Sequence, residues 1–274
     1  MNTDAFLRGQ WKYFARSYEQ FADFGGPCVY FHHECLRACA TAFLSDRHVE
    51  MLYATLTAWG MHRMGSAART KTKLANWERF SGSIAANAAR LREFRGLSML
   101  DAGEEEYLSA VAQLRPIYES LDLTEAKATV VVNSKALHHI LPEFIPPIDR
   151  QYTIRFFTQT PDRWRDQSGK YRPVPLPPTG EAQFTLFART CRDLKRMADR
   201  VDRALFEDQR RRYALAAPKA LDNAILNYVR LVGGQRAAPS AECGRYRGGI
   251  RPATDRPERL RPLLRSSPGA DLMM

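Results

Sequence analysis

Acidic charge, cysteine and strand-like alternation are all in short supply in this sequence, and each shortage excludes something. Five cysteines (Cys28, Cys35, Cys39, Cys191 and Cys243) are an odd and scattered set, which argues against a disulfide framework. Cys28, His32, Cys35 and Cys39 have a spacing that would suit a metal. Small residues on a helix that begins after Pro27 explain the same spacing, so neither a metal nor any other cofactor is expected. Gly25-Gly26-Pro27 and Gly248-Gly249 lack the Lys-Ser/Thr context of a phosphate loop, which speaks against an NTPase. There is no paired D-x-D or H-x-H set of the kind a metal-dependent nuclease uses. No window approaches the roughly 20 apolar residues of a membrane span. Met1 to Gln20 mixes Asp4, Arg8, Lys12, Arg16 and Glu19 among its aromatics and does not read as an apolar leader. The expectation is a cytoplasmic protein that avoids membranes.

What is present is positive charge on a chain long enough to bury a core. Of 274 residues 45% are hydrophobic and 11% aromatic, and 41 Lys plus Arg stand against 30 Asp plus Glu. From Gln235 to Met274 eight arginines face four acids, so the tail holds +4 of the net +11 and the remainder +7. The excess therefore belongs to the folded body too. A basic surface concentrates polyanions and gains from counterion release. This favours a nucleic-acid partner.

Nearly every patterned segment has helical period. Phe6, Trp11, Phe14, Tyr18 and Phe21 stripe a helix from Asp4 to Phe24, and a second covers Val29 to Phe43. Ser45 and Asp46 offer a cap for a third, whose apolar face is Val49, Leu52, Tyr53, Leu56 and Trp59. Further helices read over Leu74 to Phe94, Glu104 to Leu121, Thr124 to Leu141 and Arg150 to Phe157. Five prolines between Thr158 and Gly180 prevent regular structure there. One long charged helix is then expected from Glu181 to Tyr213, and a last one from Pro218 to Leu231. Gly, Pro, Ser and Arg dominate after Gly233 and predict a disordered tail. The fold class is all-α, one domain over 1–232 with a proline-rich loop at 158–180 and a basic tail over 233–274.

The stretch from Thr124 to Phe157, TEAKATVVVNSKALHHILPEFIPPIDRQYTIRFF, carries the most chemistry. A tight step at Asn133-Ser134 is expected before Lys135, followed by a helix bearing His138 and His139. Pro146-Pro147 then presents Asp149 at the head of another helix, beside Arg150 and Tyr152. A carboxylate there is kept ionised by the helix dipole and free backbone amides. It can stabilise a developing cation or activate water.

This stretch resembles the helix-hairpin-helix DNA glycosylase superfamily of the endonuclease III type, in which a hairpin of the form LPGVGRKTA precedes a helix and then VDTH. Laid over that pattern without gaps, TVVVNSKAL puts Lys135 at the family's catalytic lysine and Asn133 on the second hairpin glycine. Ile148-Asp149-Arg150 falls on the segment with the family's aspartate. The LPG opening is missing, the lysine–aspartate separation of fourteen residues is a little short, and the C-terminal iron–sulfur cysteines of some members are absent. Together with YFHHE and LYATLTAWGMHRMG, the pattern is also similar to a bacterial group that contains anti-phage DNA glycosylases. The resemblance implies a helical helix-hairpin-helix domain that excises a modified base, such as glucosylated hydroxymethylcytosine, with Asp149 and Lys135 as catalytic residues. Excision would require flipping the base out of the stack.

Other residues are candidates for contacting DNA or the base: Asn133, Ser134, His138, His139, Arg150, Tyr152, Trp59, His62, Arg63, Tyr30 and His32. Each has a plainer reading. Asp149 reads equally as a helix cap, Lys135 as a solvated helix lysine, His138 and His139 as a partly buried pair, and Trp59, Tyr30 and His32 as core. The alternative function is a non-catalytic helical DNA-binding or defence accessory protein.

Overall fold

The computed structural model describes residues 2–15, 26–61 and 74–234. It is helical throughout, and among the described residues it has two isolated β-bridges but no strand. The helices are α1 (Asn2–Arg8), α2 (Pro27–Thr41), α3 (Asp46–Ala58), α4 (Trp77–Glu93), α5 (Glu104–Gln113), α6 (Arg115–Ser120) and α7 (Val130–Ile140). A π-helical turn (Arg150–Ile154) runs into α8 (Arg155–Thr158), and α9 (Gly180–Ala198), α10 (Arg203–Tyr213) and α11 (Ala217–Val232) complete the order. No helix among them is long and apolar enough to cross a membrane. The all-α expectation therefore stands, while the tail after Gly234 and the continuation of the first helix through Phe24 lie outside the described residues.

Side-chain caps set several boundaries. The Ser45 hydroxyl accepts from the His48 amide, Asn76 from Arg79, Thr179 from Ala182 and Asp202 from Ala204. Two expected long helices are each divided in two. Pro116, which lacks an amide proton, opens α6 after the Leu114 turn, so Glu104 to Leu121 is not continuous. The chain also turns at Asp199 to Asp202, where Asp202 starts α10 afresh, so Glu181 to Tyr213 is not one helix. Glycine does the same near the start, where α1 stops at Arg8 and helix resumes after the Gly9 turn.

The centre of the molecule is α7. All eleven of its residues are buried, and it packs against α2, α3 and α9. Its apolar side chains Val130, Val131, Val132, Ala136, Leu137 and Ile140 account for that burial, and so do polar residues Asn133, Ser134, Lys135, His138 and His139. Burial of five polar side chains is costly unless each finds a partner.

The proline-rich segment after α8 is irregular but anchored. Trp164 and Val174 are buried in it, and Arg155 of α8 is fully buried beneath. The Arg155 guanidinium donates to five acceptors, none of them a carboxylate. They are the Gln151 carbonyl at 2.8 Å, Gln151 Oε1 at 2.5 Å, Gln159 Oε1 at 3.1 Å, and the carbonyls of Trp164 at 2.9 Å and Arg172 at 2.5 Å. The Tyr171 ring lies 4.8 Å from its carbon centre. A planar fork with five donors is what this loop is folded around. We predict that Arg155→Ala lowers stability by roughly 2–4 kcal/mol in urea unfolding, because it removes the buried guanidinium that ties the Trp164 and Arg172 carbonyls to α8. Arg155→Lys should recover only a small part, since an ammonium cannot reach both sides of the loop. A loss below about 0.5 kcal/mol for Arg155→Ala would show that the loop stands without it.

Candidate functional site

Lys135 and Asp149 meet. The Lys135 ammonium is 3.2 Å from Asp149 Oδ2, with the lysine side chain 10% exposed and the aspartate 28% exposed. Lys135 is placed by the buried α7, whereas Asp149 is placed by the extended segment that leaves it. Ser134 links the two: its hydroxyl oxygen accepts from the Ile148 amide at 3.1 Å, immediately before Asp149. Asp149 is also the cap of the π-helical turn, its Oδ1 accepting from the amides of Gln151 at 2.8 Å and Tyr152 at 3.3 Å. Burial pushes the Asp149 carboxyl up. The Lys135 charge and the two amides more than offset it, leaving the group below the ordinary carboxylate value.

Trp59, at the end of α3, forms the wall of the site. Its indole N–H donates to the Cys28 carbonyl at 3.2 Å, and the Lys135 ammonium lies 5.5 Å from the ring centre. A second ammonium, Lys219 of α11, is 4.9 Å from the same ring. Lys219 pairs with Asp222 at 3.0 Å, and both are buried. Two Lys–Asp pairs thus share one indole, at a place where the sequence pointed only to the first.

Behind the indole lies a histidine cluster. His139 Nδ1 is 2.7 Å from the Lys135 carbonyl and His138 Nδ1 2.8 Å from the Ile145 carbonyl. Carbonyls only accept, so both nitrogens carry protons. His139 Nε2 is then an acceptor in the neutral ring, and His32 Nδ1 donates to it at 2.9 Å. His48 of α3 completes the set, its Nε2 donating to the His139 carbonyl at 3.2 Å. All four rings are buried. Burial, assisted by neighbouring charges that include Lys219, pulls His32 and His138 well below the usual histidine range and His139 down to about 3. Burial alone lowers His48 to about 4, against a carbonyl bond that raises it.

Several expected contacts are placed otherwise. Asn133 and Ser134 are not a hairpin step: both lie within α7, and Asn133 does not have a positive φ. The chain turns instead at Glu125 to Lys127, before α7 begins. Valines at 130–132, which fit the core on every side, carry the helix through the position where the hairpin pattern has its glycines. The Asn133 amide donates to the Tyr118 carbonyl at 3.1 Å, deep in the protein. His32, His138 and His139 are in the interior rather than on a DNA-facing surface. Arg150 donates to the Val174 carbonyl at 2.5 Å and Tyr152 lies under the Arg230 guanidinium. Tyr30 is 59% exposed on α2. His62 and Arg63 lie outside the described residues. Cys35 and Cys39 are buried; burial raises the Cys35 thiol and brings Cys39 to about 11, which keeps both protonated at neutral pH. No group of three or more potential metal ligands occurs among the described residues.

No family model matches the chain, and no match to it was found among curated proteins or solved structures.

The histidine cluster makes an acid-stability prediction. Each buried ring has a folded-state pKa below its unfolded value near 6.5. The unfolded chain therefore binds protons first, and stability is full above about pH 6.5 and falls as the pH drops toward 4. Each such ring adds a slope of up to about 1.4 kcal/mol per pH unit across that window. Denaturant midpoints at pH 7.5, 6.0 and 5.0 check this. A midpoint that does not move between 7.5 and 5.0 would contradict a neutral buried cluster.

Proposed function

We propose that this protein is a DNA glycosylase that flips a modified base out of double-stranded DNA and excises it at Lys135 and Asp149. The observation that supports the reading is the 3.2 Å pair between these two residues. They are fourteen positions apart in sequence, and the resemblance to the glycosylase superfamily singled out the same two. A carboxylate held ionised at a helix start, partly open to solvent, suits stabilisation of the positive charge that grows on the sugar as its bond to the base breaks. The net charge of +11 serves attraction to the phosphate backbone.

Two chemical courses use this pair. In one, Asp149 takes a proton from water, the water oxygen bonds to the sugar carbon, and the base leaves with the bonding electrons. In the other, Lys135 passes a proton to Asp149 and its free nitrogen attacks the sugar carbon. The base leaves with the electron pair and takes the proton from Asp149, the C1′–O4′ bond of the sugar then breaks to give the lysine Schiff base, and that permits strand cleavage. We take the substrate to be a bulky modified cytosine of invading phage DNA, such as the glucosylated hydroxymethyl form, met by a monomer in the cytoplasm.

One observation favours a second reading. Both Asp149 oxygens are already engaged, Oδ1 by two amides and Oδ2 by Lys135, which is a complete structural role. A non-catalytic DNA-binding or defence accessory protein could use the same arrangement.

An abasic-site assay separates them. The expected result is abasic sites in DNA carrying one modified base, absent with unmodified DNA, and reduced at least about a hundredfold by Asp149→Asn, as expected on loss of a positioned charged group. Strand nicking lost in Lys135→Gln would select the lysine course. Tight, salt-sensitive DNA binding without abasic sites on uracil, oxidised, alkylated, hydroxymethylated or glucosylated substrates would replace the glycosylase reading with the binding one.

A further inference from the structure

The buried pair on α11 has no part in the scheme above, yet it is connected to Asp149. Asp222 Oδ1 accepts the Thr153 hydroxyl proton at 2.8 Å, and the Thr153 oxygen accepts the Asp149 amide at 3.1 Å. The Lys219 ammonium holds Asp222 Oδ2 at 3.0 Å. All of Lys219, Asp222 and Thr153 are buried. A continuous chain of hydrogen bonds therefore runs from α11 to the main chain of Asp149.

The direction of each bond follows from the groups themselves. An ionised Asp222 only accepts, so the Thr153 proton must point to it. The Thr153 lone pair is then left for the Asp149 N–H. The wide turn makes this reach possible. The Ile154 amide bonds the Asp149 carbonyl at 3.0 Å, five residues back, in place of the four-residue spacing of an α-helix. The extra residue brings Thr153 under the Asp149 amide while the Asp149 carboxylate caps Gln151 and Tyr152 above. Capping is thus reciprocal: Asp149 serves the turn with its side chain, and the turn serves Asp149 through Thr153.

We propose that Asp222, acting through Thr153, is a positioning residue that fixes the main chain at Asp149 and so aims its second carboxylate oxygen at Lys135. The catalytic role of Asp149 on which this bears rests on the glycosylase reading; the positioning itself does not. Lys219 supplies the charge that lets a carboxylate remain buried on α11, and Trp59 ties the two Lys–Asp pairs into one unit. Asn at 222 has nearly the same size but can turn a donor toward Thr153. The hydroxyl lone pair would then be contested, and the Asp149 amide would lose its acceptor.

The test reads Asp149 directly by carbon-detected NMR titration of its carboxyl in the full chain, which needs no substrate. In the wild type the carboxyl titrates below the ordinary aspartate value. In Thr153→Val, which leaves every charge in place, we expect it to move upward by at least half a pH unit, and in Thr153→Ser, which keeps the hydroxyl, to stay at the wild-type value. If excision is found, Asp222→Asn and Thr153→Val should lower kcat at least tenfold with KM for DNA unchanged, and Thr153→Ser should restore it. An Asp149 titration identical in wild type and Thr153→Val overturns the proposal whatever the activity. A shifted titration in a protein that excises nothing keeps the positioning and rejects only the glycosylase reading. Should Asp222→Asn fail to fold, the Val and Ser variants at Thr153 decide alone.

Discussion

A lysine buried on the central helix is the constraint around which the site is arranged. α7 has no solvent-facing side, so the ammonium of Lys135 must be met inside the protein. Taking a charge out of water costs several kcal/mol unless an opposite charge and further hydrogen bonds are in place. Asp149 provides the charge, and the path of the chain from α7 to the π-helical turn delivers it. Ser134 holds the strand-like segment before Asp149 against α7, the turn amides hold the carboxylate, and Trp59 covers the ammonium with its ring. The histidines behind are neutral for the same reason: beside Lys135 and Lys219 in a dry interior, a third positive charge has no partner.

Electrostatics of this kind are seldom the cheapest way to stabilise a fold. Apolar side chains of similar volume often serve as well as a buried ion pair, or better. Two Lys–Asp pairs converging on one indole, with Asp149 part-exposed, therefore point to a use other than stability. Arg155 makes an instructive contrast. It is buried without any carboxylate, satisfied by carbonyls and amides, and its task is to fold a loop.

Much of this was legible from the sequence, for identifiable reasons. Helical period and capping residues marked α3 and α11 to within a residue or two, and Ser45 caps as its position predicts. Asp149 stood out because an aspartate just after Pro146-Pro147, at a helix start, is a local signal, and Lys135 through the resemblance to the hairpin pattern. What was missed depended on long-range contacts. Whether Asn133-Ser134 turns or continues the helix was decided by three valines that find core on every side, a tertiary fact. Nothing local marks Lys219 and Asp222, which are buried only by the packing of α11, including its contact with the π-helical turn. The break between α9 and α10 was hidden by uniform charge, although Asp202 was available as a cap.

The measurement that tests the account most directly is a paired one on the double variant Lys135→Met/Asp149→Asn, which removes both charges while keeping the volumes. Its stability in urea and its base-excision activity would be measured side by side with the wild type. The account predicts unfolding within about 1 kcal/mol of the wild type, with abasic-site formation abolished. Undiminished excision by the double variant would contradict a chemical role for the pair. A loss of several kcal/mol in the double variant, together with no excision by the wild type, would show that the pair exists to hold the fold.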